Sequence, residues 1–195
     1  MRQKDKDYII GLFPTIGKIK NVGIRDKVVS TWYSAWKRSN FKRIEDVHQF
    51  EPARDRIIYT NVEHTNQVCR ACERIGEFLA KILNLNVQMD HLLAGAILHD
   101  VDKMIIFDAK TGRSTVTGRL LGHAMVGATM ALMEGLPEEV AHIIGTHSFK
   151  FSAIQPKSIE ALILRHVDEL IADSAYLAQG LDLKHVLKQS MDYMT

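Results

Sequence analysis

From residue 61 onward, five segments show helical spacing of apolar residues, and each carries a histidine or an aspartate on its apolar stripe. His64 lies one turn before Val68. His99 follows Gly95 and Ala96 by one turn, with Asp100 beside it. His123 shares a face with Gly127 and Met130, and His147 continues the stripe of Val140, Ile143 and Ile144. Asp168 shares a face with Leu164, Ile171 and Ala175. A helix buries its apolar stripe, so these polar groups are carried inward. Buried polar groups are costly unless satisfied. A cation held by several of them satisfies them together, and helix bundles build such sites from side chains on facing helices.

The rest of the chain agrees with an all-α fold, because alternation at period two is scarce. Ile24, Val28, Trp32 and Trp36 recur at steps of four and predict a helix over 24–39. Further helices are expected at about 61–83, 90–99, 120–134, from Pro137, and at 157–179, where Gly180 stops the last one. That last helix is apolar on most sides, which predicts a place at the centre of the bundle. Residues 8–23, with Gly11, Pro14, Gly17 and Gly23, read as an irregular arm. Residues 40–56, with Pro52, read as a short helix and connector, and 104–119 and 148–157 as the main loops. The expected organisation is a helical N-terminal extension, 1–56, packed on a helical domain spanning 57–195.

Charge and cysteine usage exclude several classes. The net charge is +2, but residues 1–60 hold 13 Lys/Arg against 7 Asp/Glu. No dense basic run appears and aromatics do not interleave with the basic residues, so nucleic acid is not the expected partner. The first seven residues are polar and charged, with no apolar stretch of a secretory signal after them, and no run approaches the roughly 20 apolar residues of a membrane span. The chain reads as cytoplasmic, with no membrane partner and with homo-oligomerisation left open. Cys69 and Cys72 have C-x-x-C spacing, but they lie on a helical stripe with Val68, Ile75, Leu79 and Ile82, and no second pair completes a zinc site. They read as small core residues.

The ordered set H…HD…H…H…D, with its doublet in Leu98-His99-Asp100-Val101-Asp102-Lys103, resembles the HD superfamily of metal-dependent phosphohydrolases over about residues 60–175. The resemblance implies an HD-domain helical bundle in which His64, His99, Asp100 and Asp168 hold one metal. It further implies that His123 and His147 hold a second, with Asp100 bridging. Imidazole and carboxylate donors together suit two divalent ions of Fe, Mn, Zn or Co. The family often has Gly-Lys after the doublet. Here Asp102 replaces the glycine and Lys103 is kept, one turn after His99, where it can hold a phosphate oxygen or orient water. Asp100 and Lys103 are therefore the expected catalytic pair. His48, His91, His142, His166 and His185 fall outside the pattern, although His166 stands beside Asp168.

The expected reaction is hydrolysis of a phosphomono- or diester of a nucleotide or another small phosphorylated compound. Lys110, Arg113 and Arg119 of loop 104–119 would form a donor-rich flap over it. Two alternatives stay open. Some HD proteins with this six-ligand set resemble mixed-valence di-iron oxygenases that cleave C–H, C–C or C–P bonds. A non-catalytic, metal-stabilised regulatory module would use the basic, Trp-bearing segment 24–56 for docking.

Overall fold

The computed structural model describes residues 1–51, 54, 57–150 and 152–182. His185 therefore lies outside the described residues, as does part of the 40–56 connector. The chain begins with helix α1, Gln3–Leu12, a 3-10 turn, Pro14–Lys18, and α2, Val22–Arg38. A 3-10 turn, Ile44–Asp46, leads into α3, Asn61–Ile82, and α4, Met89–Leu98. The short helices α5, Lys103–Ile106, and α6, Val116–Leu121, precede α7, His123–Met133. Helices α8, Glu138–Gly145, and α9, Ile159–Ala178, complete the order. Extended pairing among the described residues is confined to two isolated bridges, His48 with Thr60 and Phe107 with Ser114.

Local chemistry fixes the helix starts. Asn21 accepts from the Ile24 amide to cap α2, and Ser158 accepts from Ala161 to cap α9. Thr60 and Glu63 form a reciprocal capping box at α3, which pins the helix that carries His64. The stretch from 120 to 134 is not one helix. Gly122, at φ +72°, breaks it and makes His123 the first residue of α7.

The expected irregular arm is largely helical. Ile9, Phe13 and Ile16 recur at helical spacing and are fully buried, as is Ile19. Pro14 starts the 3-10 turn, where a missing N–H costs nothing. The polar residues of α1 and the nearby glycines hide that stripe in the sequence. Trp32 stacks on Phe13 with ring centroids 4.5 Å apart, and one continuous core runs from Ile9 to Val167. Trp36 lies against the same core, so both tryptophans pack the N-terminal helices onto the bundle.

The central helix is α4, not α9. Every residue from Leu92 to Leu98 is buried, and α4 touches α2, α3, α8 and α9. Helix α9 instead lies on the flank, with Leu162, Leu170 and Leu177 exposed. Its outer face forms an apolar groove with Ile75 and Leu79 of α3. Among the described residues, no helix is long and apolar enough to cross a membrane.

Candidate metal centre

Four imidazoles and two carboxylates converge where α3, α4, α7, α8 and α9 meet. His64 is in the first turn of α3, and Asp168 approaches it from α9, Nε2 to Oδ1 2.9 Å. His99 closes α4, and its Nε2 lies 3.3 Å from His64 Nε2 and 3.5 Å from Asp168 Oδ1. Asp100 is central. Its Oδ2 is 3.3 Å from His99 Nε2 and 3.7 Å from His64 Nε2, and its Oδ1 is 3.1 Å from His123 Nε2 and 4.0 Å from His147 Nε2. Two groups of three donors thus have the spacing a metal ion needs: His64, His99 and Asp100, and Asp100, His123 and His147. They share Asp100.

The outward ring nitrogens explain why the inward ones face each other. His99 Nδ1 is 2.8 Å from the Ala96 carbonyl, and His147 Nδ1 is 2.6 Å from the Ile144 carbonyl. His123 Nδ1 is 2.7 Å from Asp102 Oδ2, and His64 Nδ1 is 3.2 Å from the Tyr59 hydroxyl. A carbonyl only accepts, so His99 and His147 donate from Nδ1 and turn the Nε2 lone pair inward. His123 and His147 then meet Nε2 to Nε2 at 3.0 Å. Two lone pairs at that distance repel unless a proton or a cation lies with them. The donor set fits a metal ion for that reason as well as by residue type.

Burial and the nearby carboxylates divide the four imidazoles between charged and neutral forms. Burial presses every one of these imidazoles toward the neutral form. At His99 the carboxylates of Asp100 and Asp168 outweigh it and raise the pKa to about 10. At His123 Asp102 and Asp100 do so, to about 9. Burial wins at His64, which stays below its ordinary value, and at His147, lowered to about 3 with cationic His123 beside it. Burial would raise Asp100 and Asp168, yet Lys103 and the histidines hold Asp100 well below the usual carboxylate range, and His64 and His99 do the same for Asp168.

Lys103 is buried and engaged. Its ammonium donates to Asp100 Oδ2 at 2.7 Å and to the Gln49 carbonyl at 2.5 Å. Tyr176, two turns after Asp168 on α9, donates to the Gln49 side chain at 2.6 Å. Asn61 donates to the Asp100 carbonyl at 3.2 Å. Sequence reasoning missed Gln49, Tyr59 and Tyr176 as neighbours of the site. The eight-residue spacing from Asp168 to Tyr176 was a usable signal for one of them, since it keeps both on one helix face.

Two histidines outside the pattern have contacts of their own, and loop 104–119 departs from its expectation. His166 is exposed, stacks on Phe149 with centroids 5.0 Å apart, and lines the outer α3–α9 groove, so it does not contact the centre. His142 instead accepts from the Lys157 amide, 2.9 Å away. Loop 104–119 is more ordered than a flap. Asp108 accepts from the amides of Lys110 and Thr111, Asn40 ties it to the end of α2, and Arg119 turns back to the Ser114 carbonyl.

Residues 61–173 match the HD domain family. The chain belongs to that family. Among curated proteins it is similar to the dihydroneopterin 2',3'-cyclic phosphate phosphodiesterase of Methanocaldococcus jannaschii. The two are 30% identical over 115 residues, which is 58% of this chain and 45% of the relative. The chain thus matches somewhat under half of that relative's length. No solved structure matches.

Proposed function

We propose that this protein is a phosphohydrolase with a dinuclear metal centre, acting on a phosphoester of a nucleotide or another small phosphorylated compound. One observation carries the reading: two groups of three donors share Asp100, with the outward ring nitrogens held so that four Nε2 atoms face inward. His64, His99, Asp100 and Asp168 would hold one divalent ion, and Asp100, His123 and His147 the other. When bound, such a pair supplies an activated water and a clamp on phosphoryl oxygens. Fe, Mn, Zn and Co all suit the donors.

The chain's own residues do the positioning. Lys103 holds Asp100 in place and keeps a positive charge at the centre. Two divalent ions against the carboxylates of Asp100 and Asp168, with Lys103 added, leave the loaded centre positive. That balance favours an anionic substrate. Gln49, from the segment before α3, receives Lys103 on its carbonyl and Tyr176 on its side chain, so this segment forms a wall of the site.

The relative's substrate class makes a cyclic phosphodiester the first compound to test. The experiment is hydrolysis of a panel of 2',3'-cyclic and linear phosphoesters by protein purified without oxygen or chelators, with Mn²⁺ or Fe²⁺ added. Phosphate-ester cleavage that proceeds equally without O₂ is the expected result. Product formation only with O₂ would replace the hydrolase by the oxygenase, and no turnover on any phosphoester with metal bound would favour a regulatory module.

A further inference from the structure

We infer that Asp102 is the positioning residue for His123, a carboxylate that fixes the ring for the second metal. The inference rests on the dinuclear reading above and assigns a role to a fully buried carboxylate two residues after Asp100.

The argument begins with the helix ends. His99 and His147 each find an acceptor for Nδ1 three residues back, at Ala96 and Ile144. His123 is the first residue of α7, and Gly122 before it has φ +72°. It has no preceding turn of its own helix and so no carbonyl of that helix within reach. Its acceptor has to come from elsewhere, and Asp102 supplies it, Oδ2 to Nδ1 2.7 Å. Asp102 is fully buried and does not cap α5, although it stands at that helix's N-cap position. Its side chain serves His123 instead of the backbone.

The second oxygen supports the reading. Asp102 Oδ1 is buried and has no hydrogen-bond partner among the described residues. It faces Gly127, where an added Cβ would sit 3.5 Å away. A buried carboxylate with one oxygen unused is costly to keep. What it yields is an imidazole held in the Nδ1–H form by a charged acceptor, which orients the ring and strengthens Nε2 as a donor. A neutral carbonyl, as used by His99 and His147, does the first task and less of the second.

The test is metal titration of the full chain with Mn²⁺ and Co²⁺, read by elemental analysis and by the visible absorption of the Co²⁺ form. Wild type, Asp102→Asn and Asp102→Ala are compared. In Asp102→Asn the side-chain amide oxygen still accepts from Nδ1 but lacks the charge, so this variant separates orientation from charge. Expected are two equivalents in wild type and an affinity for the second equivalent roughly 10–100-fold weaker in Asp102→Ala, with Asp102→Asn between them. The first equivalent and the far-UV spectrum stay unchanged. Two tightly bound equivalents in both variants would overturn the role of Asp102. So would equal weakening of both equivalents with loss of fold, which would make Asp102 a residue of the core. A wild-type protein that binds a single equivalent overturns the dinuclear reading, and the inference with it.

Discussion

The indole N–H of Trp32 donates to the carbonyl of Ile97, 3.1 Å away and two residues before His99. The carbonyl lies in the last turn of α4, where helix carbonyls lack an intrahelical partner. Helix α2 therefore completes the end of the helix that presents the His-Asp doublet. Trp32→Phe keeps an aromatic ring on Phe13 but leaves the buried carbonyl unpaired. The expected loss is about 1–3 kcal/mol in urea denaturation, with metal content per folded chain unchanged. Undiminished stability would mean that water reaches Ile97 and the contact is dispensable.

Gly95 sets how closely α4 approaches α8. A Cβ there would meet Ile143 Cγ2 at 2.4 Å and its Cβ at 3.0 Å, and a β-branched side chain on a packed helix has little room to turn away. Alanine gains about 1 kcal/mol over glycine in a helix, but overpacking of this kind costs about 1–3 kcal/mol. Gly95→Ala is expected to lower the melting temperature and to disturb His99 one turn on. Gly145→Ala is the control, since its Cβ would meet only Ala128 at 3.5 Å, and it should be neutral or mildly stabilising. Equal behaviour of the two variants would remove Gly95 as the spacer.

Much of this centre was legible in the sequence because its residues lie on stripes. His64, His99, His123, His147 and Asp168 each share a helical face with apolar residues, and period alone carries them inward. What the period does not carry is the end of a helix or a contact between distant segments. Gly122 splits the expected 120–134 helix through its positive φ, so the special place of His123 emerged only in the fold. Gln49 touches Lys103 through its backbone, for which no side-chain pattern exists. The misplacement of α9 has a simple cause: Leu162, Leu170 and Leu177 are apolar yet exposed, and composition does not say which apolar face goes uncovered. Proximity in sequence does not bring His166 to the centre either, since two residues along a helix from Asp168 is a turn of about 200°, which sets the side chains on different faces.

Cys69 and Cys72 give a pH test of the core reading. Both thiols are fully buried in α3, and burial raises their pKa above the ordinary value of 9.0. In the native chain at pH 9 they stay protonated, whereas unfolded thiols, with a pKa of about 8.5, are mostly ionised. The folded state then binds more protons than the unfolded one, so stability falls as pH rises above about 9. Alkylation with iodoacetamide at pH 9 should be slow in the native protein and complete in urea. Fast native labelling would show an accessible thiolate and overturn the core reading of the pair.

The sharing of Asp100 makes an unequal prediction for two ligand variants. Asp100 belongs to both groups of donors, whereas His123 belongs to one. His123→Ala should therefore drop metal content from two equivalents to one, and Asp100→Ala should drop it toward zero, with helix content by circular dichroism unchanged in both. Asp100→Ala also leaves the buried ammonium of Lys103 with only the Gln49 carbonyl. An unpaired buried charge costs about 3–5 kcal/mol when its partner is removed, so a lower melting temperature is expected there; His123→Ala lowers it as well, because it strands the buried Asp102 carboxylate. Turnover should vanish in Asp100→Ala. A variant that lost stability but kept two metals would mean that Asp100 serves Lys103 and the fold rather than the ions. One that lost both metals at unchanged stability would mean that the ammonium finds another partner, and that Asp100 is retained for the metals alone.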